Sequence, residues 1–342
     1  MKSQDSEISS PLLKLTPAGL FCEAGEFFID PSKAVSRAII THAHADHART
    51  GSREYITVDC GKHVLRTRLT PTSIINTVQY GEVMDFRGVK VSLHPAGHML
   101  GSSQVRVEYQ GEVWVFSGDF KVAADPTCVP FEPLRCHTFI TESTFANPDF
   151  SWPDQATVWA EISDWWRLNR AWGRASVLYC YAAGKSQRVL AGLDASLGPI
   201  ITHDKVETIN ADYRASGISL PDTVCIDGAP ENTDWGASLI LAPPQVRDGR
   251  WMRRAGPRST AFASGWMTTK GACARHRVDR GFVLSDHADW AETLWAIKET
   301  GAEHVLVTHG YVDQLVAHLR SQGLDAQPLK AAEAKAAKSG VR

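Results

Sequence analysis

Thr41-His42-Ala43-His44-Ala45-Asp46-His47 follows directly on the apolar run Ala38-Ile39-Ile40, and this stretch decides how the rest of the chain is read. It offers four potential metal ligands, His42, His44, Asp46 and His47, within six residues. In an extended segment residues i and i+2 project to one side, so His42 and His44 can grip one ion while the turning chain presents Asp46 and His47 to a second. A solvated loop that happens to be rich in histidine is the alternative.

Working outward, further ionisable residues recur at the ends of short apolar runs. Val89 to Leu93 leads to Gly97-His98, Val113 to Phe116 to Gly118-Asp119, and Val305 to Thr308 to His309-Gly310. Strand ends along one sheet edge can converge although they lie far apart in sequence, and glycine permits a tight turn beside an ion. Two more runs end in candidates for proton transfer, Phe139 to Thr141 before Glu142 and Phe282 to Leu284 before Ser285-Asp286-His287. A carboxylate on one ring nitrogen of His287 would hold its tautomer and favour the imidazolium, which suits a general acid. Asp30 and Thr41 are expected to support the ligands from behind.

The organisation around these residues changes along the chain. Up to residue 145 the texture is β-rich and punctuated by Gly and Pro, with strands also expected at Phe27 to Ile29 and Val105 to Tyr109. After Pro148, Trp159, Ile162, Trp165 and Trp166 fall at helical spacing, followed by a buried strand from Ser176 to Tyr181 and a helix from Gly184. From Gly281 the strand-then-turn texture returns. The first ten residues and the Ala/Lys-rich stretch 331–342 are expected to be disordered.

Composition narrows the function classes. The 342 residues are 43% hydrophobic and 22% charged with a net charge of −2, so a polyanion must be held by a local cluster of cations. The seven cysteines are scattered without a C-x-x-C pair, and neither a leader nor a membrane-length apolar run is seen. A soluble, cytoplasmic protein is expected. Two basic features stand out: Arg247, Arg250, Arg253, Arg254 and Arg258 interleaved with Trp251, and Gly184-Lys185-Ser186-Gln187-Arg188 at a helix start. Arg253, Arg254, Lys185 and Arg188 are the candidate phosphate contacts, with the Trp251 indole stacking on a base.

On these residues the chain resembles the metallo-β-lactamase superfamily, whose H-x-H-x-D-H signature is matched by His42 to His47, its later His by His98 and its bridging Asp by Asp119. Within it the chain is similar to the β-CASP nucleases, whose acidic motif is matched by Glu142 and whose two late histidine motifs by His287 and His309. The resemblance implies an α/β fold, a metallo-β-lactamase αββα sandwich made from 11–148 and 281–330, with an inserted α/β β-CASP cap over 149–280. It implies two divalent ions per chain, Zn²⁺ before Mn²⁺, one on His42, His44 and His98, the other on Asp46, His47 and His309, bridged by Asp119. Asp46, Glu142 and His287 are then the catalytic set for in-line attack of a bridging hydroxide on a phosphodiester.

Phe27 to Pro31, Thr141 to Phe145, Tyr181 to Arg188 and Val283 to Trp290 look more narrowly like the bacterial DNA-ligase-associated exonucleases. The implied role is a DNA exonuclease in repair, acting on a single strand or a duplex end, associated with a DNA ligase and a helicase. DNA-repair β-CASP enzymes usually carry valine where His309 stands, so an RNA-processing ribonuclease is the alternative; a small-molecule metallohydrolase is more remote.

Overall fold

The computed structural model describes residues 11–330, so the expectations for the first ten residues and for 331–342 fall outside the described residues. The described residues fold as a mixed α/β protein with three sheets. The first holds β1 (Lys14–Thr16), β2 (Gly19–Cys22), β3 (Phe27–Ile29), β4 (Arg37–Ile39), β5 (Glu54–Val58) and β6 (Ile74–Val78) in sequential order. Helix α1 (Lys62–Arg68) sits between the last two. The second sheet begins as an antiparallel meander of β7 (Val83–Phe86), β8 (Val89–Pro95), β9 (Ser103–Tyr109) and β10 (Glu112–Phe116), and continues with β11 (Thr138–Ser143), parallel to β10.

The third sheet is wholly parallel, as its interleaved helices require. It contains β12 (Ala175–Tyr179), β13 (Ile200–Thr202), β14 (Val224–Cys225), β15 (Leu239–Ala242), β16 (Arg258–Ala263) and β17 (Arg280–Phe282), in the order β14-β13-β15-β12-β16-β17. Its helices are α2 (Gln155–Ala171), α3 (Lys185–Gly192), α4 (Asp204–Ala215) and α5 (Ala272–His276). The chain then returns to the second sheet through α6 (Trp290–Thr300), β18 (His304–Gly310), α7 (Val312–Ser321) and β19 (Asp325–Pro328), with β18 parallel to β11.

Side-chain alternation explains the layering. Phe27, Ile29, Ile39 and Ile56 of the first sheet meet Val91, Leu93, Val105, Val107 and Ile140 of the second in one core. Their neighbours point the opposite way, as a period of two demands: Ala38 and Tyr55 pack on Val64 and Leu65 of α1, and Phe139, Val305 and Val307 on Ile297, Leu315 and Leu319 from α6 and α7. The third sheet is buried on both faces, the usual condition of parallel strands. On one face α2 lays Val158, Ile162, Trp165 and Trp166 against Leu178, Leu239 and Ala261, and Asp154 caps its first turn by accepting from the Thr157 amide.

The strand expected at Phe282 to Leu284 instead ends at Phe282. Beyond it the carbonyls of Leu284 and Ser285 accept from the side chains of Lys185 and Arg188, so the ladder cannot continue. No helix among the described residues is long and apolar enough to cross a membrane.

Gly97 turns the chain from β8 into His98 with φ of +71°, and an added Cβ would lie 2.2 Å from the Lys121 carbonyl oxygen. Gly97→Ala is expected to destabilise the fold by about 2–5 kcal/mol in urea unfolding, combining left-handed strain with a backbone clash. Gly88→Ala, at φ of +84° with open space around it, should lose only about 1 kcal/mol.

Candidate metal centre

The C-terminal strand ends of the two packed sheets converge. His42, His98 and Asp119 each stand three residues past a strand, β4, β8 and β10, while Glu142 and His309 close β11 and β18. His42, His44, His98 and Asp119 bring one ligand atom each within 4.8 Å of one another, and Asp119, Glu142 and His287 do the same.

The outer hydrogen bonds decide which ring nitrogens carry protons. The Thr41 hydroxyl donates to Asp30 Oδ2 (2.5 Å), so it can only accept from His42 Nδ1 (3.1 Å). His44 Nε2 donates to the Ala183 carbonyl (3.2 Å), His98 Nδ1 to the Asp286 carbonyl (2.9 Å) and His47 Nδ1 to Asp30 Oδ2 (2.8 Å). In the neutral rings of His42, His44 and His98 the inward nitrogens are therefore bare lone pairs.

His98 Nε2 and His44 Nδ1 face each other at 3.1 Å with no proton left to share, and His42 Nε2 is buried with no hydrogen-bond partner. Burial lowers the pKa of all three rings, which keeps them neutral. Inward-facing lone pairs beside a buried carboxylate are stable only with a cation among them, so the residues present fit a divalent metal.

A second set lies across Asp119. Its Oδ2 is 3.5 Å from both His42 Nε2 and His47 Nε2, and its Oδ1, buried and without a hydrogen-bond partner, is 3.5 Å from His309 Nε2. Asp46 is exposed, with Oδ2 3.7 Å from His47 Nε2. Burial opposes a charge on His47, yet Asp119 and Asp30 hold its imidazolium up to about 10. The field there calls for positive charge, whether proton or metal. Asp119 is likewise held well below the usual carboxylate range in spite of burial, by His47 first, then His309 and His42.

Glu142 and His287 form a pair beside these ligands. His287 Nδ1 lies 3.0 Å from both carboxylate oxygens, and Glu142 is itself fixed by the Phe120 amide (2.8 Å) and the Thr144 hydroxyl. Burial opposes the imidazolium of His287, but Glu142 outweighs it and raises the pKa to about 9, so the ring is a proton donor at neutral pH.

His44, Asp46, Asp119, His287 and His309 line a cleft of about 650 Å³. Its other walls carry Arg68, Lys205, Tyr181 and Trp266, which sequence reasoning did not single out. Trp266 is 37% exposed while its ring packs 4.7 Å from that of Phe145, which lies 5.9 Å from His287. A single exposed tryptophan in a loop carries no pattern that could have flagged it.

Of the expected phosphate contacts, Lys185 alone borders this cleft. Arg188 is completely buried, its Nε 2.5 Å from Asp125 Oδ2, and cannot reach a ligand. Lys185 borders the cleft, but its Nζ is taken up by Asp286 Oδ1 and the Leu284 carbonyl, both at 3.0 Å. The Gly184 amide at the start of α3 donates to Gln187 Oε1 instead of facing an anion. Arg254 donates to the Ile226 and Ala229 carbonyls, Arg253 is exposed outside the cleft, and Trp251 is buried with Nε1 on the Val246 carbonyl. In the same loop Arg258 donates to the Met252 and Gly256 carbonyls, so it, like Arg254, is engaged with backbone.

No family model matches the chain. It is 30% identical over 312 residues to a "Probable DNA ligase" of Opitutus terrae, covering 90% of this chain but 30% of that protein. It is 28% identical to "Endoribonuclease YSH1" of Candida glabrata, covering 83% of this chain and 44% of the relative. An "RNase J-like protein" of Methanocaldococcus jannaschii is 23% identical over 52% of this chain and 47% of its own length. The chain thus spans less than half the length of each. Among solved structures, a protein of unknown function from Enterococcus faecalis shares the fold with a TM-score of 0.52 at 11% identity, over 79% of this chain and 74% of that one.

Proposed function

We propose, from the metallo-β-lactamase/β-CASP nuclease family that these relatives indicate, that this chain is a metal-dependent phosphodiesterase acting on nucleic acid, most plainly a DNA exonuclease. The observation that carries the reading is the pair of facing nitrogens, His98 Nε2 and His44 Nδ1, set beside the His287–Glu142 pair. His42, His44 and His98 would hold one ion and Asp46, His47 and His309 a second, with Asp119 between them. Two divalent ions there, Zn²⁺ in preference to Mn²⁺ given the imidazoles, would supply Lewis-acid stabilisation of phosphate charge.

The chain's own residues do the rest. His287 donates its Nε2 proton to the leaving oxygen, and Glu142 keeps Nδ1 protonated and the ring aimed at the cleft. Arg68 and Lys205 neutralise flanking phosphates, and Trp266 and Tyr181 offer faces for bases, a sequence-tolerant mode suited to an unpaired strand. Residues 149–280, which contribute Tyr181, Lys205 and Trp266 to this wall, act as the β-CASP cap over a core made from 11–148 and 281–330. A DNA substrate and work beside a DNA ligase draw support from the name of the Opitutus terrae relative, while a helicase partner stays an inference from the family resemblance alone. His309 and the relatives named for RNA cleavage favour the second reading, a ribonuclease.

Time-resolved digestion of 5′- and 3′-labelled DNA and RNA of one sequence, with Zn²⁺ and with Mn²⁺, tests this. Progressive shortening of DNA with RNA intact is expected; faster RNA cleavage establishes the second reading, and neither substrate being cut overturns both. In the same assay Trp266→Ala should raise KM for a single strand by about 5- to 100-fold, the worth of one stacked base, with little change in kcat.

A further inference from the structure

Beyond the metal centre, the segment Leu284–His287 has every carbonyl held by a side chain from another part of the chain. Leu284 O accepts from Lys185 Nζ (3.0 Å), Ser285 O from Arg188 Nη1 (2.5 Å), Asp286 O from His98 Nδ1 (2.9 Å) and His287 O from Trp152 Nε1 (2.9 Å). Carbonyls this deeply buried must find donors, but they usually find them in backbone amides or water. Here two are long cations from one face of α3, three residues apart.

The charges close the arrangement. Asp286 Oδ1 lies 3.0 Å from Lys185 Nζ and 3.7 Å from Arg188 Nη1, and Arg188 Nε reaches Asp125 Oδ2. Two buried cations thus balance two buried carboxylates. Such a group is rigid because moving any member leaves a charge unpaired in a dry interior.

The segment links both halves of the site. The Asp286 carbonyl is the acceptor that puts the proton of His98 on Nδ1 and strips Nε2 for a cation. The next residue is His287, whose ring must sit against Glu142. A shift of the segment by a few tenths of an ångström would affect both.

We propose that Lys185 and Arg188 are positioning residues, which clamp Leu284–His287 through Asp286 and Asp125 so that His98 is held in its Nδ1-protonated tautomer and His287 in register with Glu142. Neither touches substrate. The kinetic arm of the test rests on the proposed function, whereas the tautomer arm does not.

Lys185→Met removes one clamp and leaves Asp286 paired with Arg188. In metal-free protein, long-range ¹H–¹⁵N correlation of the histidine rings should show a single Nδ1–H form of His98 in the wild type and a tautomer mixture in the variant. With metal, kcat should fall by about 10- to 100-fold, the usual cost of losing a group that orients a ligand, while KM and the salt dependence of binding hold. Lys185→Arg, which keeps charge and donor, should recover most of both signals. Should Lys185→Met fail to fold, Arg188→Lys, too short to serve Asp125 and Ser285 together, is read the same way.

A lone Nδ1–H tautomer with unchanged kcat in the variant overturns the proposal. So does a raised KM with a shallower salt dependence, which would return Lys185 to phosphate binding. If the wild type cleaves no nucleic acid, the proposed function fails, while the tautomer measurement still decides the positioning role.

Discussion

Asp119→Asn should cost the protein its bound metal and its phosphodiesterase activity together, with turnover falling by about 10³-fold or more. Asparagine keeps the shape of the side chain but removes the charge that stands 3.5 Å from His42 and His47 and, through its other oxygen, 3.5 Å from His309. On the proposed two-ion centre, loss of the carboxylate would leave the inward lone pairs around a cation with no buried counter-charge, and both ions would lose a shared ligand. Lewis-acid stabilisation is worth several kcal/mol, and each 1.4 kcal/mol is tenfold in rate, which sets the size of the loss. Metal content by inductively coupled plasma mass spectrometry, read beside the oligonucleotide assay, checks it. Full metal content in an inactive variant would mean that Asp119 is not a ligand.

His287→Ala should separate the two properties. Its Nδ1 is committed to Glu142 and its ring lines the cleft, while neither nitrogen belongs to the cluster of His42, His44, His98 and Asp119. Removing it should lower kcat by about 10²- to 10⁴-fold, the range for a positioned general acid, with metal content as in the wild type. A substrate whose leaving group needs no proton, such as a p-nitrophenyl phosphodiester, should be affected far less. Metal loss equal to that of Asp119→Asn would show that His287 is a ligand.

What could be read from the sequence follows from where the information is stored. His42 to His47 are legible because the candidate ligands lie within six consecutive residues, and His98, Asp119, Glu142 and His309 because each follows or ends an apolar run with a turn after it. The acceptors that set the tautomers are not legible. The carbonyls of Ala183 and Asp286 lie 139 and 188 positions from the rings they orient, and a carbonyl has no residue signature.

Charge misled for a related reason. Lys185 and Arg188 look like phosphate ligands at a helix start, but residue type does not say which way a long side chain points, and theirs turn inward to Asp286 and Asp125. The third sheet and its helices were legible at α2, where Trp159 to Trp166 keep apolar spacing over about two turns, and at β12. Strands β13 and β15, runs of three and four residues buried on both faces, show no alternation to separate them from loops.

The most direct test of the account is the stoichiometry of metal in the wild-type protein purified without chelator, with binding followed by titration of Zn²⁺ into the stripped protein. Two equivalents per chain are expected, both lost with phosphodiesterase activity on chelation and regained with it on re-addition. A chain that binds no more than one equivalent, or that cleaves nucleic acid equally well when stripped, contradicts the binuclear centre built on His42, His44, Asp46 and His47.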